Sequence, residues 1–141
     1  MPGNILIVDD SVTVRQMVKR TLEMAGLDIG EIYEAGNGIE ALARLADHHV
    51  DVMMVDINMP TMNGIKLLER IKQNPRLKDI PIVIASTEGS QTRIDQLRRD
   101  GAFGYVRKPF KPEQVRDVLI PLLGVKENAT TEDGDAGDDF F

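Results

Sequence analysis

Cysteine is absent from the 141-residue chain. That removes disulfides, thiolate zinc sites and cysteine nucleophiles together. A basic excess is absent too: 17 Lys and Arg face 23 Asp and Glu, a formal net charge of -6. Non-specific nucleic-acid binding needs a basic surface to displace counterions, so no nucleic-acid partner is expected. No apolar run approaches the ~20 residues that span a bilayer, so no membrane insertion is expected. Met1-Pro2-Gly3-Asn4 carries no basic region ahead of an apolar stretch, which points to a cytoplasmic protein without a signal peptide. The chain lacks both GxGxxG and GxxxxGK[ST], so nucleotide binding in either of those modes is not expected.

What is present is enough for one core. The apolar fraction is 42%, and the length suits a single domain, which typically runs to ~100–150 residues. The charge is unevenly placed. Residues 126–141 hold six acids (Glu127, Glu132, Asp133, Asp135, Asp138, Asp139) and one base, Lys126, leaving residues 1–125 with 17 acids and 16 bases. The expected organisation is therefore a nearly neutral domain over 1–125 and an acidic, disordered tail over 126–141. That tail ends in Phe140-Phe141. A docking role for it, toward Arg93, Arg98, Arg99, Arg107 or Lys111, is the alternative to simple solubilisation.

Short β-branched runs alternate with longer stretches of helical period. Ile5-Leu6-Ile7-Val8 reads as a first strand, ending at Asp9-Asp10. Val14, Met17, Val18, Thr21, Leu22 and Ala25 then mark the inner face of a helix that Gly26 ends. Glu31–Ala35 alternates as a more exposed second strand. Asn37 caps a second helix with Glu40 in a capping-box position, and Ala41, Leu42 and Leu45 face inward. Val52–Val55 is a third strand ending at Asp56, and Leu67, Leu68 and Ile71 mark a third helix. Ile82–Ala85 is a fourth strand ending at Ser86, followed by a weak helix with Ile94 and Leu97. Gly104-Tyr105-Val106 is a fifth strand. Val115, Val118, Leu119 and Leu122 mark a fifth helix that Pro121 kinks or ends. His48-His49 reads as a surface pair closing the second helix.

Five β-α units without an internal linker imply an α/β, doubly wound parallel sheet with helices on both faces. Such sheets bind ligands beyond the carboxyl ends of their strands. At those ends the chain places Asp9-Asp10, Asp56, Ser86-Thr87 and Lys108-Pro109. A single Asp after a strand is usually a cap or turn residue. Three at one edge are different, because two carboxylates ~5 Å apart repel by ~3 kcal/mol at an effective dielectric of ~20. Lys108 and a divalent hard cation would bring that charge to zero. Carboxylates, a backbone carbonyl and water are ligands that suit Mg2+, which keeps part of its coordination for a phosphate group. The constellation reads as a Mg2+ site handling a phosphoryl group.

These segments resemble the receiver domains of two-component response regulators. The likeness rests on Ile7-Val8-Asp9-Asp10-Ser11, on Val55-Asp56-Ile57-Asn58-Met59-Pro60 with Asn63-Gly64, on Ser86, and on Gly101 through Phe110. It covers residues 4 to about 123, and within the family it is nearest to the stand-alone chemotaxis type. The resemblance implies a flavodoxin-like (βα)5 fold of strand order 2-1-3-4-5. It implies that Asp56 accepts a phosphoryl group from a sensor histidine kinase. It also implies that Asp10, Asp56 and the Asn58 carbonyl bind Mg2+, with Asp9 acting through water. Lys108 is then the residue that pairs first with Asp56 and later with the phosphate, and its bond to Pro109 is cis. Ser86 becomes a phosphate hydrogen-bond donor, and Tyr105 the aromatic switch that follows Ser86 inward. Asn58 and Glu88 become the positions that tune phosphate lifetime.

The implied output is a changed surface formed by helix four, strand five and helix five. Ile120 and Leu123, off the core stripe, hint that something covers that surface. The implied partners are the kinase and a flagellar motor switch protein, or else a phosphorelay or kinase-regulating protein outside chemotaxis. The chain is expected to be a monomer, with a phosphorylation-dependent dimer left open. It is expected to be no enzyme beyond its own phosphoryl transfer and dephosphorylation. A haloacid-dehalogenase-type phosphatase also uses an Asp nucleophile after a strand, but it places a general-acid Asp where this chain has Asn58. A phosphate-independent adaptor would have no need of Asp10 and Lys108.

Overall fold

The computed structural model describes residues 2–59, 61–87 and 90–125. The strands are β1 (Gly3–Val8), β2 (Ile29–Ala35), β3 (Val52–Asp56), β4 (Ile82–Ser86) and β5 (Gly104–Arg107). The helices are α1 (Val12–Met24), α2 (Gly38–Asp47), α3 (Gly64–Lys72), α4 (Gln91–Arg99) and α5 (Pro112–Leu123). All strand pairs are parallel, in the order β2-β1-β3-β4-β5. This is the doubly wound, flavodoxin-like arrangement expected from the sequence.

Alternation along the central strands builds two cores. Leu6, Val8, Met53, Val55, Ile82 and Ile84 face α2, α3 and α4, where Ala41, Leu45, Leu67, Leu68, Ile71 and Leu97 meet them. Ile5, Ile7, Val52, Met54, Val83 and Ala85 face α1 and α5, against Val18, Leu22, Ala25, Val115 and Leu119. Successive strand residues point to opposite faces, so a strand covered on both sides must be apolar throughout. Each such side chain contributes about 1.5–3 kcal/mol on full burial.

Register carries the functional residues to one edge. Val8 sits opposite both Ala35 and Val55, and Asp56 sits opposite Ala85. Ser86 in turn sits opposite Arg107. The residues just beyond Val8, Val55, Ala85 and Arg107 therefore meet beside the β1–β3 switch point, where the chain winds away in both directions.

Several details differ from the sequence reading. Met17 is 60% exposed and so lies off the core face of α1, while Val18 and Leu22 are buried. Asn37 does cap α2, accepting the Glu40 N–H at 2.9 Å. Glu40, however, accepts from the Gly36 N–H, one residue before the cap. His48 is half-buried and stacks on Tyr33, ring centroids 4.3 Å apart, rather than lying free on the surface. His49 is the exposed member and meets Asp51 at 2.8 Å. Pro121 stands inside α5, which runs on to Leu123 and closes at Gly124, φ 76°. Ile120 and Leu123 pack against the chain's own core on the α1–α5 side, so no outside partner is needed to explain them. The tail over 126–141 lies outside the described residues.

Candidate functional site

Asp9 closes β1 and is buried. Its own N–H donates to the Ala35 carbonyl at 3.0 Å, which ties the end of β1 to the end of β2. Its carboxylate accepts the Ser11 N–H at 3.0 Å through Oδ1 and the Lys108 ammonium at 2.6 Å through Oδ2. Ser11 also caps α1, its side chain accepting the Val14 N–H. The first acidic residue is thus fixed by the turn that starts the helix. Asp10, next along, is exposed.

Asp56 is the last residue of β3 and 8% exposed. The loop beyond it is shaped by a glycine. Gly64 donates to the Ile57 carbonyl at 2.9 Å, and a Cβ there would lie 2.5 Å from the Asp56 carbonyl oxygen. Only the absence of a side chain lets the start of α3 close on this strand end. Asn63 caps α3 by accepting the Lys66 N–H at 2.9 Å. Thr61, within the same loop, adopts φ 65°.

One carboxylate oxygen from each of Asp9, Asp10 and Asp56 can be chosen so that all lie within 4.8 Å of one another. Lys108 reaches into this group from the loop after β5, and its bond to Pro109 is cis. Its ammonium is 2.6 Å from Asp9 and 3.4 Å from Asp56. The pairing expected first with Asp56 is therefore shared, and Asp9 holds the shorter contact. Burial pushes the Asp56 carboxyl above its ordinary range. Lys108 opposes that rise, Asp9 adds to it, and the Asn58 backbone N–H bond lowers it.

The donor set fits a hard divalent cation. One lysine against three carboxylates leaves two negative charges, and all-oxygen ligands with open positions suit Mg2+. Asp10 and the exposed Asn58 stand on the solvent side, where such an ion would enter.

Ser86 is fully buried at the end of β4, and its carbonyl accepts the Lys108 N–H at 2.8 Å. It is thereby coupled through the backbone to the lysine that touches both acids. Tyr105 lies on β5 opposite Ile84 and packs partly buried on the α3–α4 side of the sheet. Its hydroxyl is buried and, among the described residues, has no hydrogen-bond partner. Glu88 lies outside the described residues.

Residues 5–120 match the response regulator receiver domain. The chain belongs to the response regulator receiver family. Chemotaxis protein CheY1 of Helicobacter pylori is 36% identical over 124 residues, spanning 87% of this chain and 98% of that protein. The chemotaxis protein CheY homolog of Campylobacter jejuni is 36% identical over 121 residues, with 85% of this chain and 92% of that protein covered. Among solved structures, Vibrio cholerae CheY4 superposes with a TM-score of 0.77 at 36% identity, covering 87% of this chain and all of that one. The receiver fold and its two-component setting are therefore established, and chemotaxis receivers stand among the similar proteins.

Two features of this receiver site were not anticipated from sequence. Gly64 was legible only as part of the Asn63-Gly64 match, and its steric role depends on a loop path that spacing does not reveal. Arg15 donates to the Asp9 carbonyl at 2.7 Å and pairs with Glu34 at 2.9 Å. Nothing in the sequence pattern marks Arg15 for this contact.

Proposed function

We propose that residues 1–125 act as a phosphorylation-activated switch, with Asp56 as the phosphoacceptor. The observation that carries this reading is the convergence of Asp9, Asp10 and Lys108 on one buried strand-end carboxylate, Asp56. Three carboxylates against one lysine keep an excess of negative charge, which a divalent cation would offset.

An Asp56 oxygen attacks the phosphorus of a phosphohistidine on a sensor kinase. The P–N bond breaks, its electron pair stays with the imidazole, and an aspartyl phosphate results. Asp10, Asp56 and the Asn58 carbonyl would hold Mg2+, with Asp9 acting through water, and the bound ion would neutralise the charge that grows during transfer. Lys108 is already within reach of Asp56 and takes a phosphoryl oxygen as partner. Phosphorylation raises the charge on that side chain to about -1.5 to -2 and gives it three acceptor oxygens. The Ser86 hydroxyl donates to one of them. Tyr105, whose buried hydroxyl has no hydrogen-bond partner among the described residues, then shifts toward Ser86. The face formed by α4, β5 and α5 then differs between two states and is read by a partner. Water later cleaves the acyl phosphate, with Asn58 and Glu88 setting the lifetime. The chain is in this sense a signalling element, with no turnover of outside substrates.

The likeness to chemotaxis receivers favours a flagellar motor switch protein as the downstream partner. A phosphorelay or kinase-regulating protein in the same cytoplasmic setting is the second reading. No described helix is long and apolar enough to cross a membrane. The test is affinity for a motor-switch peptide and for a histidine phosphotransfer protein, each with and without beryllofluoride as an acyl-phosphate mimic. Tighter peptide binding with the mimic supports the motor reading, and a gain only for the phosphotransfer protein supports the second. Equal affinity for both partners in both states contradicts the switch.

A further inference from the structure

We propose that Arg15 is a positioning residue for the divalent cation, acting through the peptide bond that joins Asp9 to Asp10. Two hydrogen bonds define its place. Nη1 donates to the Asp9 carbonyl at 2.7 Å, and Nε meets Glu34 Oε1 at 2.9 Å. The side chain is only 15% exposed. The accepting carbonyl belongs to the planar unit that ends at the Asp10 Cα. Fixing that oxygen fixes the rotation of the peptide plane, and with it the direction in which Asp10 leaves the backbone. The Asp9 side chain is already held by Ser11 and Lys108. Asp10 is exposed, and none of the described hydrogen bonds or ion pairs holds its carboxylate. Its approach to the metal position is therefore set mainly from its backbone side.

The neighbouring ions allow geometry to be told apart from charge. Its charge is met by Glu34 on β2, which also lies 3.9 Å from Lys19. Arg15 and Lys19 share that one carboxylate, so the cluster keeps one positive charge, and removing either cation lowers it by the same unit. The fork shape of guanidinium is what bridges a carbonyl and a carboxylate at once, and a lysine ammonium cannot hold both in fixed directions. Partners hydrogen-bonded to a metal ligand typically change metal affinity by about 10- to 100-fold when removed, and the low end of that range applies here because Arg15 holds the backbone beside Asp10 rather than its carboxylate.

This inference rests on the receiver reading of the site. It is tested by titrating Mg2+ into the metal-free full chain by calorimetry, for wild type, R15Q, R15K and K19Q. Amide NMR shifts at Asp10 are followed in parallel, with thermal stability recorded for each. The expected result is a Mg2+ Kd weakened at least about 10-fold in R15Q and only partly restored in R15K. K19Q removes a charge beside Glu34 without touching Asp9, and its Kd stays within about twofold of wild type, far below the about 10-fold scale of a lost outer contact. A lowered melting temperature with unchanged Kd in R15Q means a merely structural role and overturns the inference. A Kd that changes in K19Q as much as in R15Q, and in the same direction, also overturns it, because loss of a cation rather than of the Asp9 contact would then be the cause. Wild-type protein that binds Mg2+ but takes no phosphoryl group counts against the switch and leaves the Arg15 comparison valid.

Discussion

Replacing Asp56 with asparagine should make the metal-free protein more stable at neutral pH, although it removes the proposed reacting group. Asn keeps the shape and abolishes the charge. Asp9 and Asp56 present oxygens within 4.8 Å of each other, a repulsion of about 3.5 kcal/mol at an effective dielectric of ~20. Asp10 is exposed, so its share falls toward about 1 kcal/mol. Lys108 lies 3.4 Å from Asp56 and returns about 5 kcal/mol on the same scale. These contributions nearly cancel, and the desolvation of a buried carboxylate remains. It is the first cause of the raised Asp56 pKa. A gain of about 1–2 kcal/mol in D56N follows, well below the full penalty because asparagine is polar too. That corresponds to a melting temperature about 3–8 °C higher.

The pH dependence has a definite sign. The folded pKa lies above the ordinary value of 3.8. Between those two values the folded wild type binds more protons than the unfolded chain, so its stability falls as pH rises. Below 3.8 the Asp56 contribution is fully present and the advantage of D56N disappears. Mg2+ reverses the order, since a ligand at about 100 times its Kd adds about 2.7 kcal/mol to wild type. Calorimetric melts at acid and neutral pH, with EDTA or Mg2+, read all of this. D56N melting at or below wild type at neutral pH in EDTA refutes the reasoning. So does an advantage that is undiminished in acid.

Lys108→Met removes the one cation that touches both Asp9 and Asp56 among the described residues. It should cost about 3–5 kcal/mol without metal, and Mg2+ should recover much of that loss in the same melts. Gly64→Ala drives a Cβ to 2.5 Å from the Asp56 carbonyl, so denaturant titration should show a loss of about 1–3 kcal/mol. Tyr105→Phe deletes a buried hydroxyl that has no partner among the described residues, and chemical denaturation should show a gain of about 1 kcal/mol. A loss of similar size would mean that the hydroxyl is hydrogen-bonded in solution.

The architecture was legible because its causes are local. Ile5–Val8, Val52–Val55 and Ile82–Ala85 are apolar without interruption, which a strand covered on both faces requires. Their carboxyl ends carry Asp9, Asp10, Asp56 and Ser86, so parallel order alone gathers those residues at one edge. What stayed hidden depends on paths and directions. Met17 follows the helical period yet points to solvent, because the apolar stripe of α1 is narrower than its apolar residues suggest. The nearer approach of Lys108 to Asp9 than to Asp56 is set by its loop geometry, which spacing cannot supply. Arg15 and Glu34 are 19 residues apart and meet only because β2 pairs with β1. Ile120 and Leu123 lie off the predicted core stripe, yet α5 carries them against the α1 side of the core.

Intact-mass spectrometry decides whether Asp56 is a phosphoacceptor that works with Mg2+. The full chain is incubated with phosphoramidate or acetyl phosphate, with Mg2+ or with EDTA, beside D56N. One added phosphoryl group is expected on wild type with Mg2+, and none with EDTA or on D56N. An unmodified wild type, or equal modification of D56N, would contradict it.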